Sequence, residues 1–147
     1  MPRKSPPNRR TAAKTPRRQP ESLRLASLTA SLTVNDIEKS LAWYRDVLGF
    51  TVKDRWEHGG ALVGVELRAG SVALVLNQDD FSKGRDRVKG VGVRLYGNTR
   101  QDIDRLAADI KSRGGVLAQE PKDRDWGTRD FVMVDPDGYR LSITTMA

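Results

Sequence analysis

The side chains able to do chemistry are few and scattered. Among 147 residues there is one histidine, His58, and no cysteine. Disulfides, thiolate zinc sites and cysteine nucleophiles are therefore excluded. A site of two histidines and one carboxylate cannot be assembled within one subunit, and no strand-like stretch clusters acids that would replace it. His58 stands beside Gly59 and Gly60, the composition of an exposed turn. No catalytic residue is assigned, and no metal ligand or cofactor. Other side chains are candidates for binding if the fold brings them to one cleft: Trp56 and Trp126 as aromatic walls, Glu66 and Arg140 as charged contacts, Ser142 as a hydroxyl and Leu74 as an apolar lining. Aromatic walls with a few directed polar groups suit a planar or cationic small molecule.

Two runs with strand character flank Asp135-Pro136-Asp137-Gly138 and would hold several of these residues. Proline presets φ at the second turn position, and glycine takes the positive φ that closes a hairpin. Phe131 and Met133 alternate before the turn, Leu141 and Ile143 after it. Strand parity puts Arg140, Ser142 and Thr144 on one face and Tyr139, Leu141 and Ile143 on the other.

The first half supplies the opposite wall. Leu28, Ala30, Leu32 and Val34 alternate as a half-buried strand, and Asn35 or Asp36 caps a helix. Ile37, Leu41, Tyr44 and Leu48 recur at helical spacing, with the aromatics packing the helix on its sheet, until Gly49 stops it. Three strands follow, over residues 50–57, 61–68 and 71–77. On the last, Val72, Leu74 and Leu76 should line the wall. In the second half Val91, Val93 and Leu95 alternate as a strand, and Asp102-Ile103 opens a helix that ends at Gly114-Gly115. A shift of 66 residues carries Asp36-Ile37 onto Asp102-Ile103; with a slip of two, Gly70 falls on Gly138. This is an internal duplication of one β-α-β-β-β plan. Residues 78–90 between the halves are polar, a mobile connector at the rim of the pocket.

The closing Trp-Gly, strand, Asp-Pro-Asp-Gly and final strand, with the helix ending Trp43-Tyr44 and Leu48-Gly49-Phe50, resemble the vicinal oxygen chelate superfamily. That superfamily includes glyoxalases, bleomycin resistance proteins and extradiol dioxygenases. The resemblance implies an α+β fold of two tandem βαβββ modules, forming a curved mixed sheet around a central cleft. The domain spans residues 25–147, with modules at 25–77 and 88–147. It implies a homodimer as well, and a divalent metal held by His, Gln or Glu. The positions matching those ligands are Thr29, Ser142 and, by the repeat offset, Leu74, with a fourth within residues 91–95; none bears a good donor. The reading is a metal-independent small-molecule binding protein of the glyoxalase/bleomycin resistance type, acting by antibiotic or metabolite sequestration. The alternative is a divalent-metal-dependent lyase, isomerase or dioxygenase with atypical ligands.

The net charge of +7 is concentrated at one end: residues 1–22 hold seven Lys and Arg against Glu21. Residues 1–24, with five prolines and almost nothing apolar, form an expected disordered basic tail. Nucleic acid could be bound only through that tail, by counterion release. No apolar run approaches the roughly 18 residues that would span a bilayer, and no secretory signal is legible. A cytoplasmic location is expected.

Overall fold

The computed structural model describes Pro2, Arg3 and residues 22–146. The expected basic tail lies almost wholly outside the described residues. Alternation at Leu32 and Val34 builds the first strand, β1 (Ala30–Val34), both side chains buried. Asp36 then caps α1 (Ile37–Ala42), its carboxylate accepting the Lys39 N–H at 3.2 Å. This removes one orphan donor of the first turn. The helix continues as a wider π-helical turn, Trp43–Leu48, and stops at Gly49, whose φ of 93° is left-handed. Three strands return antiparallel: β2 (Thr51–His58), β3 (Ala61–Ala69) and β4 (Val72–Gln78). Strand β1 closes the sheet by pairing parallel to β4, giving the order β1-β4-β3-β2.

The second module repeats the plan with β5 (Arg94–Thr99), α2 (Ile103–Ser112), β6 (Leu117–Asp123), β7 (Arg129–Val134) and β8 (Arg140–Thr145). Its order is β5-β8-β7-β6, with β5 parallel to β8. The expected α+β pair of βαβββ modules is therefore present, as two mixed four-stranded sheets. Strand β5 starts later than the apolar alternation predicts. Gly90 and Gly92 hold φ of 77° and 74°, which breaks extended backbone, and Val91 and Val93 before the strand are exposed.

Both modules bury their helix-covered faces in one core, which joins Leu41, Leu67 and Leu76 to Ile103, Phe131 and Met133. Each such side chain contributes roughly 1.5–3 kcal/mol on burial. The modules are also clasped by polar bonds around the Asp135–Tyr139 turn. The Tyr44 hydroxyl donates to Asp135 at 2.8 Å, and the Asn35 N–H and Ser40 hydroxyl donate to Asp137 at 2.8 and 3.2 Å. The Tyr139 hydroxyl returns a bond to the Thr33 carbonyl at 2.9 Å. Burial pushes the Tyr44 phenol well above its usual range and raises the Asp135 carboxyl too, against the lowering pull of the Tyr44 bond.

The connector is pinned at both ends, unlike the mobile segment expected. The Gln78 side chain accepts the Ile37 N–H and donates to the Asn35 carbonyl. Asp79 and Lys89, both almost fully buried, form an ion pair at 2.8 Å. The Lys89 ammonium and the Phe81 N–H hold the Asp79 carboxyl below its ordinary range. No helix among the described residues is long and apolar enough to cross a membrane.

Candidate functional site

Because strand side chains alternate, each sheet that gives one face to the core turns the other outward. Register identifies both open faces. On the first sheet, Ser31 and Thr33 of β1 stand beside Val75 and Asn77 of β4; Gly64 and Glu66 of β3 follow, then Trp56 and Asp54 of β2. The Asn77 amide donates to the Ser31 hydroxyl across this face. Trp56 is half exposed, and its indole lies over Gly64, where a Cβ would come within 2.8 Å of the ring. Only a residue without a side chain lets the indole lie flat there. Glu66 sits between Lys53 and Arg68, at 3.7 and 3.6 Å. A groove of ≈ 370 Å³ runs along this face past Thr29, Glu66, Arg68 and Val72.

On the second sheet the central column is Arg140, Ser142 and Thr144 of β8. Arg94, Tyr96 and Asn98 of β5 flank it on one side, Val134, Val132 and Asp130 of β7 on the other. Arg124 closes the far margin with bonds to Asp130 at 2.7 to 3.1 Å and to Gln119 at 2.9 Å. Its guanidinium carbon lies 5.8 Å from the Trp126 ring centroid, within cation–π range. Trp126 and Tyr96 are otherwise exposed, at 71% and 65%.

Of the six residues singled out from sequence, Trp56 and Glu66 stand on the first open face, Arg140 and Ser142 on the second, and Trp126 beside the second through Arg124. Leu74 does not join them. It is 4% exposed, belongs to the core and pairs with Leu67, and Leu76 likewise faces the core. The repeat offset through Gly70 and Gly138 slips because the two hairpins differ in length. Ala69 pairs Val72 across two residues, whereas Val134 pairs Arg140 across five. A one-residue slip flips a strand position to the other face. Matching the ends of the parallel ladders, Val34↔Gln78 with Thr99↔Thr145, instead sets Val75 opposite Ser142 and Arg94 opposite Thr29. His58 ends β2 as an exposed residue at the turn. Arg94, Tyr96 and Arg124 escaped the sequence reading. The parity of Arg140 and Ser142, carried across to a correctly placed β5, would have found the first two.

The model of the Glyoxalase/Bleomycin resistance protein/Dioxygenase superfamily matches residues 24–143. The chain belongs to this superfamily. It is 27% identical over 122 residues to a probable lactoylglutathione lyase of Synechocystis sp., covering 79% of this chain and 92% of the relative. It is 30% identical over 122 residues to a bleomycin resistance protein of Geobacillus stearothermophilus, covering 76% of this chain and 90% of that one. Among solved structures, a superfamily member from Sphaerobacter thermophilus matches with TM-score 0.68 and 23% identity, over 84% of this chain and all of that one. TioX from Micromonospora sp. ML1 matches with TM-score 0.66 and 18% identity, over 82% and 98%. These two likenesses bear on the fold.

The residues of the superfamily fold that would seat a divalent metal do not fit one here. Thr29, Val75, Arg94 and Ser142 occupy the matched positions. They offer two hydroxyls, a methyl surface and a guanidinium, with no imidazole or carboxylate among them. Zinc-type sites need about three nitrogen, sulfur or carboxylate donors. Two arginines in the same neighbourhood would repel a cation further.

Proposed function

We propose that the chain is a metal-independent small-molecule binding protein of the glyoxalase/bleomycin resistance type, which acts by sequestering an antibiotic or metabolite. One observation carries this reading. The open faces keep aromatic surfaces, at Trp56, Tyr96 and Trp126, with directed polar groups around them, while the four matched ligand positions hold no metal donor. The 30% identity to a protein named for bleomycin resistance supports it. A second copy of the chain completes the cleft: both faces carry an exposed aromatic residue, and a two-fold dimer would set one open face against another. A cytoplasmic location belongs to the same reading.

Titration calorimetry of the intact protein against an antibiotic and metabolite panel, with and without chelator, tests it. Saturable binding unaffected by chelator is expected, together with a dimer by light scattering. The likeness to a probable lactoylglutathione lyase favours a second reading, a divalent-metal-dependent lyase, isomerase or dioxygenase with its site shared between copies. Stoichiometric metal in the purified protein and turnover of a methylglyoxal–thiol hemithioacetal would establish that reading and overturn the first.

A further inference from the structure

The two open faces differ in how their charges are met. On the first, Glu66 lies between two cations, and on the second Arg124 is matched by Asp130. Arg94 and Arg140 are matched by nothing: among the described residues neither forms an ion pair. They are register partners on the parallel strands β5 and β8, so their side chains leave the sheet side by side. Like charges in that relation repel. The lateral neighbours of Arg140 on this face are Arg94 and Val134, and the next residue along the strand is Ser142. No carboxylate is in the arrangement. Ser142 is nearly buried, its hydroxyl making no hydrogen bond among the described residues, and exposed Tyr96 is its register partner.

We infer that Arg94 and Arg140 form the seat of an oxyanion, a carboxylate or phosphate, carried by a small aromatic ligand whose ring lies against Tyr96. An incoming anion removes the repulsion between the guanidiniums and gains charge-assisted hydrogen bonds from both, the planar forks matching an oxyanion's geometry. The Ser142 hydroxyl is placed to donate a further bond. The inference rests on the small-molecule binding reading and narrows its ligand class: anionic and aromatic, where tryptophans and Glu66 alone would suggest a planar or cationic one.

The test compares 1-naphthoate and 1-naphthyl phosphate with neutral 1-naphthalenemethanol, by calorimetry on the full chain. Expected is binding of at least one anion about tenfold or more tighter than the alcohol, weakening as salt rises. Arg94→Gln and Arg140→Gln should each lower anion affinity roughly tenfold and leave the alcohol unchanged, as a single lost charge-assisted contact would. Arg105→Gln, on the exposed side of α2, should change neither. Thermal melting checks that each variant is folded. Equal affinity for charged and neutral probes overturns the inference while the binding reading stands. So does a change in dimerisation, rather than in anion affinity, on replacing either arginine, since the pair would then face carboxylates of a second copy. If neither the probes nor the wider panel bind, the binding reading itself fails.

Discussion

The two modules agree closely on one side of their sheets and hardly at all on the other. Toward the core, Leu74 and Leu76 in β4 correspond to Leu141 and Ile143 in β8, and Leu67 and Val65 in β3 correspond to Met133 and Phe131 in β7. Toward the outside, Val75 stands where the second module has Ser142, and Ala73 where it has Arg140. Packing at near-crystalline density constrains the first set. The second set lies outside that shared core. A duplicated scaffold thus keeps its buried half and spends its variation on the open half.

The largest expected break comes from testing which side a residue is on. Leu74→Ala should cost about 3 kcal/mol, as large-to-small core substitutions do, whereas Val75→Ala should cost under about 1 kcal/mol at its half-buried position. Urea unfolding checks both, and equal costs would void the assignment of faces. Next is the clasp, which ties the two modules unequally. Tyr44→Phe leaves one Asp135 oxygen without its donor and should cost about 2 kcal/mol near neutral pH.

The pH dependence of that loss has a definite sign. Burial raises the folded Asp135 carboxyl above its ordinary value, so its protonation favours folding, and the stability it gives is lost as pH rises through the folded value. Removing the Tyr44 donor raises it further, so the Tyr44→Phe penalty should shrink as the solution is acidified. Stability measured from neutral pH down to about 4 would show it; a penalty independent of pH would remove Asp135 from the explanation.

A smaller effect tells the open faces apart. Gly64→Ala would drive a methyl to 2.8 Å from the Trp56 ring, and since an indole can swing away, stability should fall by about 1 kcal/mol or less. Trp56 fluorescence and panel binding should change more than the melting temperature does, while the anion preference attributed to the second sheet should persist. Smallest of all, deleting residues 1–22 should leave melting temperature and small-molecule affinity unchanged and abolish any salt-sensitive retention on nucleic acid.

What the sequence disclosed follows the range of the interactions. The helix starts at Asn35-Asp36 and at Asp102, Gly49 as a stop and the Asp135–Gly138 turn are decided within four or five residues and were legible, though the choice of Asp36 over Asn35 as the cap was not. Parity along β8 was legible as well, because Leu141 and Ile143 mark the core side without help from elsewhere. The Leu74 assignment failed because it depended on counting through two hairpins of unequal length. Strand β5 was misplaced because the apolar alternation of Val91 and Val93 competes with two glycines whose positive φ only the fold reveals. The Tyr44–Asp135 bond, spanning 91 positions, has no local signature at all. Reading Tyr44 as simple packing missed its hydroxyl, and reading residues 78–90 as loose missed the burial of Asp79 with Lys89.

That clasp has a consequence for how the chain matures on the ribosome. Asn35, Ser40 and Tyr44 are translated 102, 97 and 91 residues before the acceptors they need at Asp137, Asp137 and Asp135. The first module can therefore lay its helix on its own sheet, but these three donors wait for the Asp135–Gly138 hairpin. A product cut short before that hairpin would keep those donors and the apolar surface beneath them uncovered, an open invitation to quality-control proteases.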